Sequence, residues 1–143
     1  MKKTHLIIIG IVGIVAAALL INAVYVDNTI PTSSAALFST KTNSEGNVSV
    51  MATPIDQSDW SFEITLNTHS VDINEDLAQV STLTDENGNE YKPIEWRGDP
   101  PGGHHRKGVL SFGEITPRPQ SITLFISQIG GIDERKFEWI TQP

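Results

Sequence analysis

The chemistry this chain can offer is concentrated in two short motifs. One is Asn67-Thr68-His69-Ser70-Val71-Asp72; the other is Gly102-Gly103-His104-His105-Arg106-Lys107-Gly108. Imidazole is the commonest protein metal ligand, and a carboxylate often completes such a set. His69, Asp72, His104 and His105 are therefore candidate ligands for Zn(II) or Cu(II). Soft Cu(I) is disfavoured, because Met51 is the only methionine beyond Met1. Two other readings stay open. The histidines can simply fix loops through local hydrogen bonds, or His105, Arg106 and Lys107 can contact an anion or carboxylate, with Arg97 as a further basic group of a binding surface. On an extended backbone His104 and His105 point to opposite faces, so at most one of them shares a site with His69. The charges of Arg106 and Lys107 oppose a cation unless their heads turn away.

Other clusters are weaker. Asp72, Glu75 and Asp76 could bind Ca²⁺, but the spacing of a helix-loop-helix site is absent. Glu95 and Asp99 flank Trp96-Arg97 as in a sugar-binding cluster; a buried Trp beside an exposed ion pair explains them equally well. Ser111 has no nucleophile-elbow context, and no glycine-rich phosphate loop follows a strand. The chain has no cysteine, which excludes disulfides, thiolate zinc sites, iron–sulfur clusters and a cysteine nucleophile. An enzyme is not expected, and no cofactor beyond Zn or Cu is indicated.

The elements that must position these groups read as strands. Trp60, Phe62, Ile64 and Leu66 alternate with Ser61, Glu63, Thr65 and Asn67, a period of two. Val48, Val50 and Ala52 predict an earlier strand ending at Pro54, and Leu77 to Thr84 predicts a less regular one. Asp85-Glu86-Asn87-Gly88-Asn89 signals a turn, and Tyr91 to Trp96 returns as the partner strand with Ile94 and Trp96 on one face. A loop over Gly98 to Gly103 precedes a strand at Val109 to Phe112, with His104 and His105 just before it. Ile122 to Ile126 forms the next strand, Gly130-Gly131 turns the chain, and Phe137 and Trp139 close it. About seven antiparallel strands at this spacing predict an all-β, immunoglobulin-like β-sandwich over 47–143.

Ahead of the strands, Lys2 and Lys3 precede an apolar run from Leu6 to Val26, broken only by Asn22. At about 1.5 Å per residue this run spans a hydrocarbon core of roughly 30 Å as a helix. Residues 1–26 are thus read as a single-pass N-terminal transmembrane signal anchor, with a cleaved signal peptide and a secreted product as the alternative. Residues 27–46, rich in Ser, Thr and Asn, read as a linker, part of which Leu37 and Phe38 could dock onto the domain. The whole chain has a formal charge of −7. Since Lys2 and Lys3 precede the apolar run and all seventeen acidic residues follow it, the remainder carries −9, eight basic against seventeen acidic groups. That balance argues against nucleic acid as a partner.

Taken together, THSVDINEDL, L-x-D-x-x-G-x-x-Y, W-x-G, GGHH-x-x-G-x-L-x-F and E-R-x-F-x-W resemble uncharacterised small exported prokaryotic domains, over roughly Trp60 to Trp139. The resemblance implies an immunoglobulin-like fold and an extracytoplasmic location; it implies no activity. The hairpin motif (Leu83, Asp85, Gly88, Tyr91) is also similar to anchored immunoglobulin-like lipoprotein domains without a catalytic role. The expectation is a membrane-anchored extracytoplasmic module that binds an envelope component or partner protein. Zn or Cu binding through the loop histidines is the second reading, and an envelope hydrolase the third.

Overall fold

A computed structural model describes residues 37–142. The expected anchor, 1–26, and the first ten residues of the expected linker lie outside them. Among the described residues, nine strands form two antiparallel sheets, a β-sandwich. They are β1 (Lys41–Asn43), β2 (Val48–Asp56), β3 (Ser61–Thr68), β4 (Ser81–Asp85), β5 (Glu90–Tyr91), β6 (Glu95–Gly98), β7 (His105–Ser111), β8 (Ser121–Ser127) and β9 (Glu134–Ile140). One sheet runs β1-β2-β3-β7-β6; the other runs β5-β4-β8-β9. Alternate residues face inward, as the pleat demands. Phe62, Ile64 and Leu66 of β3 and Leu124 and Ile126 of β8 are fully buried between the sheets. Phe62 packs edge-on against Phe112, with centroids 5.8 Å apart, and touches Trp139 at 5.4 Å.

Four expectations are corrected by the pairing. Lys41–Asn43, placed in the linker, forms β1 against β2, although its side chains are mostly exposed and leave no apolar trace. Leu77–Val80 is a short helix, α1, rather than the start of a strand, because Asp76 caps it by accepting from the Ala78 amide at 3.0 Å. The return strand after the Asn-Gly turn is divided. β5 pairs with β4, whereas β6 pairs with β7 in the other sheet, so Lys92 to Ile94 carries the chain across. Ile94 is consequently 73% exposed and does not share a buried face with Trp96. Finally, Trp60 is buried but stands just before β3, at φ +38°.

The β4–β5 turn forms as the Asp-Glu-Asn-Gly-Asn signal predicts, with Gly88 at φ +80°. The Asp85 carboxylate organises it, accepting from the Asn87 and Asn89 amides (2.9 and 3.0 Å), from Asn89 Nδ2 (2.7 Å) and from the Tyr91 hydroxyl (3.0 Å). The Asn89 side chain contributes most to holding the Asp85 pKa below its ordinary 3.8. A carboxylate whose pKa is depressed on folding stabilises the native state above the unfolded pKa, and this contribution is lost as pH falls through the folded one. Asp85→Asn should therefore flatten the decline of stability as pH falls below about 4, read from denaturant midpoints against pH. An unchanged slope would dismiss this role.

Candidate functional site

The registers place the histidine motifs at one end of the sandwich. Asn67 of β3 lies opposite His105 of β7, and Val48 lies opposite Thr68. His69 to Asp76 leaves this end of β3, and Asp99 to His104 arrives at the same end of β7. These two loops are laced by main-chain bonds: Thr68 N–H to His104 O (2.9 Å), Ile73 N–H to Gly103 O (3.0 Å) and Gly102 N–H to Ile73 O (2.7 Å). The β8–β9 connection, with its 3-10 turn at Ile129–Gly131, lies at this end too, since Ser127 pairs with Glu134.

Arg106 sits beneath the loops. It faces inward from β7 at 1% exposure, because β7 begins at His105 and the alternation that buries Leu110 also buries Arg106. Its guanidinium donates to the carbonyls of Ile73 (3.3 Å), Glu75 (2.7 Å) and Asp99 (3.3 Å), and its Cζ lies 5.8 Å from the Trp96 ring centroid. Burial pushes its pKa down, while Glu75, Asp76 and Asp99 act in the opposite direction. Trp96 donates to Asp99 O at 3.0 Å and covers the facing pair Gly98 and Gly108. A Cβ on Gly108 would lie 2.6 Å from Gly98 Cα and 2.7 Å from the Trp96 ring, so both glycines serve this close approach.

The expected basic surface of Arg97, Arg106 and Lys107 is therefore corrected. Arg106 is on the inner face and unavailable to an external anion. Arg97 is exposed and held by Glu95 at 2.7 Å; Lys107 is held by Glu63 at 3.0 Å. The trio does not converge.

The three histidines of the two motifs separate, as the alternation of His104 and His105 requires. On the outer face of the five-stranded sheet, His69 and His105 have ring centroids 6.3 Å apart and planes 78° apart. His105 Nδ1 lies 2.8 Å from Asn67 Oδ1. A carbonyl oxygen only accepts, so His105 Nδ1 is the donor in this contact and Nε2 is left outside it. His104, by contrast, meets Asp72, Nε2 to Oδ1 at 3.5 Å, with both side chains at least half exposed. Among the described residues, no group of three or more His, Asp or Glu side chains is placed to hold one metal ion. The acidic trio is dispersed, Asp76 being spent on capping α1 and Asp72 standing beside His104. Ser111 bonds Ser61 Oγ at 2.8 Å and has no imidazole partner there.

Two further residues order this end of the sandwich and leave little trace in the sequence. Asn67 lay within the first motif, but its role depends on a pairing with a residue 38 positions away. Arg135, fully buried on β9, latches the end through the carbonyls of Glu45 (2.8 Å) and Ile129 (3.2 Å) and through Asn43. The period-two run Arg135, Phe137, Trp139 carried that signal; charge concealed it.

Compared with known proteins, the chain matches no family, no curated protein and no solved structure.

Proposed function

We propose that this protein is a non-catalytic, membrane-anchored extracytoplasmic module of immunoglobulin-like form, which presents the histidine-bearing end to an envelope component or partner protein. Its sheet orders support the form. β2-β3-β7-β6 facing β5-β4-β8-β9 corresponds, strand for strand, to A-B-E-D facing C′-C-F-G of immunoglobulin-like sandwiches. On that correspondence, 69–76 belongs to the B–C connection, 99–104 is the D–E loop and 128–133 the F–G loop. The B–C and F–G loops belong to the recognition end of variable domains.

The observation that carries the proposal is the direction of β1. It runs antiparallel to β2 and brings the start of the described chain to the other end of the sandwich. There Trp139 Nε1–H donates to Ser39 O at 2.8 Å. The described chain thus enters the sandwich at the end opposite the laced loops, which the rigid sheets carry. Sedimentable membranes carrying the chain with a photo-crosslinking residue at Ser70 should yield a discrete adduct, and a probe at Asn87, at the opposite end, should not. The adduct should disappear when Asp72 and His104 are both replaced by Ala. Equal adducts from both positions, or none from Ser70, would reject the proposal.

A further inference from the structure

We infer that His69 and His105 form a two-imidazole site for a divalent transition metal on the outer face of the five-stranded sheet, with Cu(II) held most tightly. Three independent observations converge. The two rings are exposed neighbours, 6.3 Å between centroids. Asn67 Oδ1 fixes the His105 tautomer, the outer-shell arrangement that orients ligating imidazoles. Both nearby cationic heads are turned away: Arg106 lies inside, and the Lys107 ammonium is paired with Glu63, 3.0 Å from it. The objection that neighbouring positive charge repels a cation is thereby removed.

The distance fits one shared ion. With metal–nitrogen bonds of about 2.0–2.1 Å and ring nitrogens about 1.1 Å from the ring centre, two imidazoles on one ion have centres at most about 6.4 Å apart when trans, and about 4.5 Å apart when cis in the tetragonal plane of Cu(II). The 6.3 Å between the rings lies within that range, and rotation of the exposed His69 side chain about its χ angles, up to about 2 Å at the ring, spans it. Only two protein ligands are supplied, so water completes the shell. Mixed nitrogen and oxygen ligation suits Cu(II), which the Irving–Williams order also places above Ni(II) and Zn(II).

The test uses the full-length chain in detergent, free of any tag, with His5→Ala as the reference so that the N-terminal histidine contributes nothing. Titration with Cu(II) against glycine as competing chelator should give one ion per chain. Electron paramagnetic resonance should show coupling to two imidazole nitrogens. His69→Gln and His105→Gln should each weaken binding at least tenfold and leave one coupled nitrogen. His104→Gln should stay within twofold, and Asn67→Leu should weaken binding about tenfold, as loss of an outer-shell partner does. Absence of stoichiometric binding overturns the inference, as does a loss with His104→Gln equal to that with His69→Gln. The metal site does not depend on the partner proposed above, and the purified chain alone tests it, so either can fail separately.

Discussion

Replacing Arg106 by Leu should be among the most damaging single changes in the domain, lowering its stability by about 3–5 kcal/mol. The side chain is 1% exposed, and its guanidinium satisfies three carbonyls from two loops. Leucine fills part of the volume but leaves those acceptors without a donor; the Ile73 bond is buried and the Glu75 and Asp99 bonds part-buried, and an orphaned buried acceptor costs about 1–3 kcal/mol. In a domain of this size the loss corresponds to a fall in melting temperature on the order of 15 °C. Lysine keeps the charge but cannot fork, so Arg106→Lys should recover less than half of the loss. Thermal unfolding of the three proteins checks this. A fall below about 1 kcal/mol for the leucine variant would show that the carbonyls find other donors and that the loop end is not held from beneath. The same change should loosen the His69–His105 pair, since β7 and the 99–104 loop frame it.

Trp139→Ala should cost a comparable amount, about 3–5 kcal/mol, by a different route. Trp139 is 1% exposed, stacks near Phe137 at 6.4 Å and touches Phe62 at 5.4 Å, so truncation opens a cavity between the sheets. Its indole also donates to Ser39 O, the bond that pins the start of the described chain against β9. Trp139→Phe separates the two contributions: it restores most of the packing and none of the hydrogen bond. The phenylalanine variant should therefore lose only about 1–2 kcal/mol. It should still show faster proteolysis at Lys41 than the native chain, because Ser39 is released. Protection at Lys41 equal to native in both variants would mean that β1 is held by its pairing with β2 alone.

Much of the sandwich was legible because a strand with one dry face writes its period into the chain. Val48-Val50-Ala52, Phe62-Ile64-Leu66 and Ile122-Leu124-Ile126 each alternate, and each faces the core. The Asp85–Asn89 turn was legible for a local reason too, since its carboxylate bonds fall within six residues. β1 was not, because Lys-Thr-Asn buries almost nothing and gains its order from β2 and from the bonds of Arg135. Neither was the division of Tyr91 to Trp96 between sheets, since two residues of β5 and four of β6 are too short to show a period.

The candidate site divides in the same way. The residue types, the alternation that separates His104 from His105 and the acidic balance of the chain beyond the apolar run are properties of the sequence alone. They hold for any extended backbone, because neighbouring side chains on a pleated strand must diverge. Which histidine meets which partner was decided only in three dimensions. Asn67 against His105 is a register between strands 38 residues apart. The burial of Arg106 depends on a core face that β7 shares with β3 and on loop carbonyls that converge upon it. Such pairings arise from the balance of the whole sheet, in which one residue of slip would exchange its two faces, and no local stretch of sequence encodes that balance by itself.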